Sequence, residues 1–477
     1  MTKKYRILLG ILILFLVAGG GFGVYKWLDH EGPASTQSPN EVELETEELK
    51  KVHMAYELIL SRYVEDVNEM TLVEGAIQGM LKTLEDPYSV YMDAETAAQF
   101  NDSLDSSFEG IGAEVTVMDG KLKIVAPFRN SPAEKAGLKP NDEIISVDGK
   151  SIEGLDLYEA TLKIRGKKGS KVNLEIKREG LTDSITVSVE RAEIPNESVH
   201  FEVKEKMNQR VGYIEITSFS QETAKEFHLA IQEIEAEKIE GLIIDVRGNP
   251  GGLLMAVEKI LATLVTSEKP YLQIEERSGE KMPYYSPLDK KKPYPIAVLI
   301  DEGSASASEI LAGALQEAGE YPLIGVKTFG KGTVQQAIPL GDGSNIKMTM
   351  FKWLTPDGNW IHKKGIQPTI KVEQPPFFHT HPLQVETPLK LEMNETAVKS
   401  AQEILYGLGF APGRTDGYYN EQTKKSVEAF QAQNDLPVTG QIDQKTARKL
   451  EEKIKEATRK EKNDLQLQAA IHHLLQQ

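Results

Sequence analysis

Three apolar runs constrain this chain more than any other feature: VGYIEI (211–216), GLIIDV (241–246) and IAVLID (296–301). Each is short and rich in β-branched residues, and each is followed by a stretch with helical spacing, from Glu222 to Glu237, from Leu253 onward and from Ser306 to Ala318. Such alternation predicts parallel strands joined by helices, in a sheet covered on both faces. Residues 211 to 375 are therefore expected to form a βα-layered core.

The chain has 477 residues, more than one hydrophobic core normally organises, so further units are expected around that core. Lys3, Lys4 and Arg6 precede Ile7 to Tyr25, nineteen residues without a charge. As a helix that segment would reach roughly 28 Å, about one hydrocarbon core, with the basic end held in the cytoplasm. The sequence thus predicts a membrane anchor or signal segment in residues 1–30, which sends the body of the chain to the extracytoplasmic side. A polar, proline-containing linker (31–42) follows. Residues 43–101 carry apolar positions at helical spacing, with Asp86-Pro87 as a break, and read as a helical domain. Residues 102–194 turn to short β segments with helical stretches at Ser131–Gly137 and Asp156–Ile164, a compact mixed β domain. The core is assigned to 195–380. Beyond the boundary QPPFFHTHP come a helical module (387–455) and a charged, Gln-rich helical tail (456–477).

Several function classes drop out on composition. Lys plus Arg number 55 against 72 Asp plus Glu, a formal charge of −17, and the first thirty residues are net basic, so the rest is more acidic still. That body repels phosphate backbones, and nucleic acid is excluded as a partner. There is no cysteine, hence no thiolate nucleophile, disulfide or thiolate-bound metal. The nine histidines form no H-E-x-x-H pattern, and none lies between His228 and His362. No metal site and no cofactor are expected.

The stretch Gly303-Ser304-Ala305-Ser306-Ala307-Ser308-Glu309 joins the run IAVLID to a helix. Small side chains admit a neighbouring backbone, and amides at a helix start point toward any oxyanion nearby, so a serine here could act as nucleophile. An ordinary helix cap is the competing reading. Lys331, between Gly330 and Gly332, supplies a candidate base. An amine takes a proton only when neutral. Bringing a lysine from its ordinary pKa of about 10.4 to near neutrality requires roughly 4 kcal/mol of desolvation. Gln335 suits that demand, because a neutral amide orients the amine where a carboxylate would lock it as a cation.

At these residues the chain resembles the carboxy-terminal processing, or tail-specific, serine peptidases. The resemblance rests on Ser306 and Lys331 at the family spacing, F-G-K-G-T-V-Q through Gln335, and Asp245-Val246-Arg247-Gly248-Asn249-Pro250-Gly251-Gly252, joined by Leu354-Thr355-Pro356-Asp357-Gly358 and Gly365-Ile366-Gln367-Pro368. It implies an α/β multidomain fold: a crotonase-like βα core with an inserted PDZ domain, an N-terminal helical domain and a C-terminal helical module like those that bind peptidoglycan. It also implies a Ser306/Lys331 dyad assisted by Gln335, and an oxyanion hole of the Gly252 and Ala307 amides. In the PDZ domain, Gly110, Ile111, Gly112 and Ala113 would hold a substrate's terminal carboxylate, with Arg165 as a sensor of the bound tail. SPAEKAGLKPNDEIISVDG (131–149) is strongly PDZ-like, and the module at 387–452 is marked by Leu408-Gly409-Phe410, Asp416-Gly417, Phe430-Gln431 and Thr439-Gly440. Within the family, the chain is close to the branch found in endospore-forming bacilli, which implies a peptide-gated signalling protease in sporulation.

The expectation is thus an extracytoplasmic, membrane-anchored serine endopeptidase acting on proteins or peptides with accessible C-termini, with possible peptidoglycan contact, as a homodimer. Two rivals are an inactive scaffold carrying PDZ and wall-binding modules, and an acyl hydrolase of small esters or wall peptides.

Overall fold

The computed structural model describes residues 47–104, 107–118, 120–128, 131–155, 157–178, 183–206, 208–380, 383, 385 and 387–476. The anchor and linker expected in residues 1–42 lie outside them. Among the described residues no helix is long and apolar enough to cross a membrane. The chain divides into two compact units, residues 1–80 and 81–477.

The first unit contributes α1 (Glu47–Arg62) and most of α2 (Glu69–Lys82). Acidic residues open α1 and Arg62 closes it, matching the helix dipole. The Asn68 side chain caps α2 by accepting the Thr71 amide at 3.1 Å.

The second unit opens with β1 (Val90–Met92) and α3 (Ala94–Leu104). Residues 43–101 are thus not wholly helical: β1 pairs antiparallel with a core strand, Tyr91 opposite Ile346. The mixed β domain follows as β2 (Ser107–Gly110), β3 (Ala113–Met118), β4 (Lys121–Pro127), α4 (Pro132–Lys135), β5 (Glu143–Val147), β6 (Lys150–Ser151), α5 (Leu157–Ile164), β7 (Lys171–Lys177), β8 (Ile185–Glu190) and β9 (Ala192–Pro195). Strands β3-β4-β5-β7-β8 form one antiparallel sheet with β6 on β5. Alternate residues of β7, Val172, Leu174 and Ile176, are fully buried. The chain enters and leaves this domain side by side, because β2 pairs with β9.

The peptidase-like core holds β10 (Val199–Lys206), β11 (Gln209–Ile216), α6 (Thr223–Ala236), β12 (Gly241–Asp245), α7 (Leu254–Leu261), β13 (Pro270–Glu275), β14 (Lys281–Tyr285), β15 (Ile296–Ile300), α8 (Ala307–Glu317), β16 (Leu323–Gly325), β17 (Thr333–Pro339), β18 (Asn345–Leu354) and β19 (Ile370–Lys371). The three apolar runs fall on β11, β12 and β15, which lie parallel in the order β10-β11-β12-β15-β16-β19. Side chains alternate across this sheet. Leu242, Ile244, Val298 and Ile300 join Phe227, Val257 and Leu311 of α6, α7 and α8 on one face. Ile243, Ala297 and Leu299 face the other way. A second, antiparallel sheet of β1, β18, β13, β14 and β17, which simple βα alternation does not predict, completes the core.

After a 3-10 turn (Pro376–His379), α9 (Thr396–Gly407), α10 (Glu421–Gln433) and α11 (Gln444–Thr458) form the helical module. Val398, Leu405 and Phe430 are buried in its core, and buried Gln431 bonds Gln441 and Thr446 through its amide nitrogen and Thr439 and Gly440 through its oxygen. The last helix, α12 (Leu465–Leu474), is more than a charged tail. Leu467, Ala470, Ile471 and Leu474 recur at helical spacing and cover the second face of the parallel sheet against Ile243, Ala297 and Leu299.

Candidate active site

One cleft in the core is lined by Ser306, Ala307, Lys331, Gln335 and Gly252, with Lys347, Phe219, Leu254, Ile310, Val334 and Trp353 around them. The five core residues singled out in the sequence therefore meet in one place. They come from separate elements: Gly252 from the loop after β12, Ser306 and Ala307 from the start of α8, Lys331 from the loop before β17, and Gln335 from β17 itself.

The three serines of the small-residue stretch divide by what they do. Ser304 donates to the Val246 carbonyl at 2.7 Å and Ser308 to the Asn249 carbonyl at 2.8 Å, and both are fully buried. Ser306 lines the cleft instead. Its backbone, at φ 54° and ψ −111°, is in a region that residues with a Cβ rarely enter, a cost of about 1–3 kcal/mol that the surroundings must impose. Ser306 also caps α8, so the capping role and the cleft position coincide.

The imposition comes from Glu309, three residues on. This carboxylate is fully buried, yet every lone pair has work. Oε1 accepts from Thr328 Oγ1 at 2.6 Å and the Gly330 amide at 2.7 Å; Oε2 accepts from the Lys331 amide at 2.7 Å and the Ser306 amide at 3.0 Å. The backbones of the serine and the lysine thus converge on a single oxygen atom. Four donors offset the desolvation that an isolated buried carboxylate would suffer.

Above that clamp, the Lys331 amine lies 4.8 Å from the centre of the Tyr88 ring, and among the described residues it donates to no acceptor. Its proton affinity is lowered, first by burial and then by the Lys347 cation, against an opposing pull from Asp86 and Glu309. Lys347 is itself pushed down by burial. Gln335 gives its amide nitrogen to Thr333 Oγ1 at 2.9 Å and Thr349 Oγ1 at 3.2 Å, which leaves its carbonyl oxygen as the end open to an amine. The Lys331 carbonyl is tied to Trp353 Nε1 at 2.8 Å.

Gly252 has φ 144°, and a Cβ there would fall 2.1 Å from the Phe219 carbonyl oxygen, so only glycine fits. The preceding Gly251 passes so close to the serine that a Cβ on it would lie 2.9 Å from Ser306 Cβ and 3.0 Å from the Ala307 nitrogen. Among the described residues neither the Gly252 nor the Ala307 amide has a hydrogen-bond acceptor. Two unspent donors therefore border the cleft beside Ser306, the arrangement that suits a developing oxyanion.

In the mixed β domain, Gly110 ends β2, Ile111 and Gly112 form the turn, and Ala113 opens β3. The Ile111 and Gly112 carbonyls accept from Ala133 and Phe128 at 2.8 and 2.9 Å, whereas their amides bond nothing among the described residues. Donors without acceptors at the mouth of an edge strand match a carboxylate-binding loop. Arg165, just past α5, stacks its guanidinium 4.9 Å from the Phe108 ring and brings its Cγ within 3.8 Å of a Cβ placed on Gly110. It sits beside that loop.

Sequence reasoning missed three contributors. Glu309 carried a signal, since a carboxylate three residues after a cap is the capping-box spacing. Asp86-Pro87 read only as a break, yet the following Tyr88 meets the Lys331 amine. Lys347 gave no signal on its strand.

Known proteins resemble this chain along most of its length. Residues 210–372 match Peptidase family S41, 109–189 a PDZ domain, 394–450 a putative peptidoglycan binding domain, and 14–96 the activating protease CtpB N-terminal domain. The chain is 57% identical over 461 residues to the carboxy-terminal processing protease CtpB of Bacillus subtilis, covering 95% of this chain and 96% of that protein. It is 43% identical to carboxy-terminal processing protease CtpA of the same organism, covering 89% and 90%. A probable CtpA-like serine protease of Staphylococcus haemolyticus is 34% identical over 95% and 89%. With PDZ, S41 and peptidoglycan-binding-like segments in this order and that identity along nearly its whole length, the chain belongs to the carboxy-terminal processing serine proteases of peptidase family S41.

Proposed function

We propose that this endopeptidase works through Ser306 as nucleophile, Lys331 as general base and Gln335 as the group that orients the amine. The observation that carries the reading is a half-buried amine with no carboxylate bonded to it among the described residues, in the same cleft as a serine held in a strained turn. The neutral amine takes the proton from Ser306 Oγ as that oxygen bonds to the substrate's carbonyl carbon. The resulting oxyanion is received by the Gly252 and Ala307 amides. The ammonium then gives its proton to the departing amine as the C–N bond breaks, leaving an ester on Ser306, and water, deprotonated by Lys331, cleaves that ester.

The PDZ domain, in this reading, captures the C-terminal carboxylate of a protein or peptide on the loop Gly110 to Ala113, with Arg165 reporting occupancy, so that turnover is peptide-gated. The protein acts outside the cytoplasm, tethered through residues 7–25, as a homodimeric signalling protease in sporulation, and the helical module contacts peptidoglycan. Support for the tether is the uncharged, basic-flanked segment; support for the wall contact is the match over 394–450.

The test is hydrolysis of casein by the native chain and by Ser306→Ala. A loss of at least about 10³-fold in the variant is expected, with the fold intact by circular dichroism. An equally active Ser306→Ala protein sinks the assignment, and an inactive native chain would favour the scaffold. A C-terminal peptide added across its binding range should raise the rate on an unrelated substrate; no change removes the gating.

A further inference from the structure

Arg247 has no part in the chemistry above, yet it lies in the loop that carries the Gly252 amide. Its guanidinium is held on two sides. Nε and Nη2 donate to Asp245, at the end of β12, at 3.0 and 2.6 Å. Nη1 and Nη2 donate to the two oxygens of Asp464 at 2.9 and 2.8 Å. Asp464 caps α12 by accepting the Leu467 amide at 2.9 Å, and it also accepts from Gln374 at 2.6 Å. Gln466 Oε1 takes a further bond from Nη1 at 3.0 Å. Side-chain exposures of 4% for Asp245, 15% for Arg247 and 12% for Asp464 shield these three charges from most bulk screening. Removing one partner of so enclosed a pair leaves the other charge uncompensated.

From Arg247 a series of hydrogen bonds ties the loop down toward the candidate oxyanion amide. The Gly248 amide donates to Asp301 at 2.8 Å. Asn249 donates to the Ile216 carbonyl at 2.7 Å and accepts the Gly251 amide at 2.8 Å. The Asn249 carbonyl accepts from the Ala305 amide at 3.0 Å and from Ser308, and the Gly251 carbonyl accepts from Phe219 at 3.0 Å. Of the residues between the ion pair and Gly252, Gly248, Asn249 and Gly251 are each hydrogen-bonded to the core, so a shift at Arg247 is passed toward the cleft through bonded backbone. At the other end of the pair, α12 is anchored by Leu467, Ala470, Ile471 and Leu474 on the second face of the sheet.

We infer that Asp464 is a positioning residue for peptide hydrolysis: the C-terminal helix, beyond the helical module, belongs to the catalytic unit and holds the loop of Gly252 in place through Arg247. This rests on the reading of Ser306 and Gly252 given above. It makes the far end of the chain a condition for transition-state stabilisation, not for substrate binding.

The test uses full-length Asp464→Asn, which keeps an oxygen for the Leu467 amide but loses the charge. Four quantities are measured: kcat, KM, the affinity of a peptide boronate, whose tetrahedral adduct with the serine reports the oxyanion hole, and the affinity of an unreactive peptide of the same sequence. The expected result is a fall of about tenfold in kcat and a similar fall in boronate affinity, with KM and the inert peptide within about twofold. Hydrogen exchange should quicken at 246–253 and stay unchanged in β11. Native kcat and boronate affinity in a folded variant, or a loss confined to KM and the inert peptide, overturns the inference. Should Asp464→Asn fail to fold, Gln466→Leu removes one bond to Arg247 and should weaken boronate binding about threefold; unchanged affinity overturns it equally. Boronate binding by the native protein that survives Ser306→Ala would instead overturn the site reading, and the role of Asp464 with it.

Discussion

Two lysines of the core rest on tyrosine rings at almost the same distance, Lys331 at 4.8 Å from Tyr88 and Lys204 at 5.0 Å from Tyr213, and their proton affinities move in opposite directions. Burial is the leading influence on both, and in both it favours the neutral amine. The ring faces favour the ammonium by about 0.5–1 kcal/mol each and so cancel between the two sites. What separates them is the acid. Lys204 donates to Glu202 at 2.5 Å and Glu461 at 3.1 Å, and the carboxylates more than reverse the effect of burial. The Lys331 amine bonds no carboxylate among the described residues, the carboxylate of Glu309 is occupied by four other donors, and a second cation, Lys347, shares the cleft. A withdrawn lysine is a structural cation or a base according to whether a carboxylate can reach it.

The largest effect should come from deleting each amine in turn. Lys331→Met is expected to abolish casein hydrolysis, by about 10³-fold or more, while Lys204→Met leaves it within about twofold. Stability should move the other way. An amine whose proton affinity is depressed by folding binds fewer protons folded than unfolded, so stability rises with pH up to the ordinary lysine value of about 10.4. Lys331 is therefore a cost at neutral pH. Lys204, raised by folding, contributes stability that is complete below about 10.4 and lost as pH climbs through its folded value. Urea unfolding at pH 7 should show Lys331→Met stabilised by about 1 kcal/mol and Lys204→Met destabilised by a similar amount. Shifts of the same sign would break the comparison.

Next in size is the conversion of one environment into the other. Gln335→Glu is nearly isosteric, and the Thr333 and Thr349 hydroxyls can still bond it. The added carboxylate should hold Lys331 as ammonium, lowering kcat/KM at pH 7 by about 10²-fold and moving the acid limb of the pH profile upward, so that part of the rate returns in alkali. An unmoved limb would mean that Gln335 acts without touching the amine.

How much of this was legible in the sequence follows from what each residue signals. The parallel sheet could be read because β12 and β15 are buried along their whole length and leave uninterrupted aliphatic runs. Ser306, Lys331 and Gly252 stood out because they sit among glycines and small residues, where backbones approach closely. The antiparallel sheet was not legible, since β17 and β18 are half-exposed and mixed in polarity. Glu309 was legible only as a cap, with no sign of its bonds to Thr328, Gly330 and Lys331, and Arg247 was hidden because its partner lies 217 residues away. The Leu467, Ala470, Ile471, Leu474 stripe of α12 was present in the sequence, but the charged and Gln-rich residues around it disguised a core helix as a tail.

The finest probe of the comparison is Lys347, which supplies charge to the cleft without bonding the base. On β18, opposite Val90 and Ala337, its amine lies 4.3 Å from the Phe100 ring. Replacing it by glutamine removes the cation that opposes protonation of Lys331 while Asp86 and Glu309 continue to favour it. The proton affinity of Lys331 must then rise, the neutral fraction at a given pH must fall, and the acid limb of kcat/KM must shift to higher pH. At pH 7 the loss should be about threefold and should vanish on the alkaline plateau, where Lys331 is neutral in both proteins. High salt, which screens an exposed charge but not one inside the cleft, should leave the difference in place. A Lys347→Gln protein slowed equally at every pH would show that this lysine acts on the substrate, and the contrast between the two tyrosine-borne amines would then rest on burial and the missing carboxylate alone.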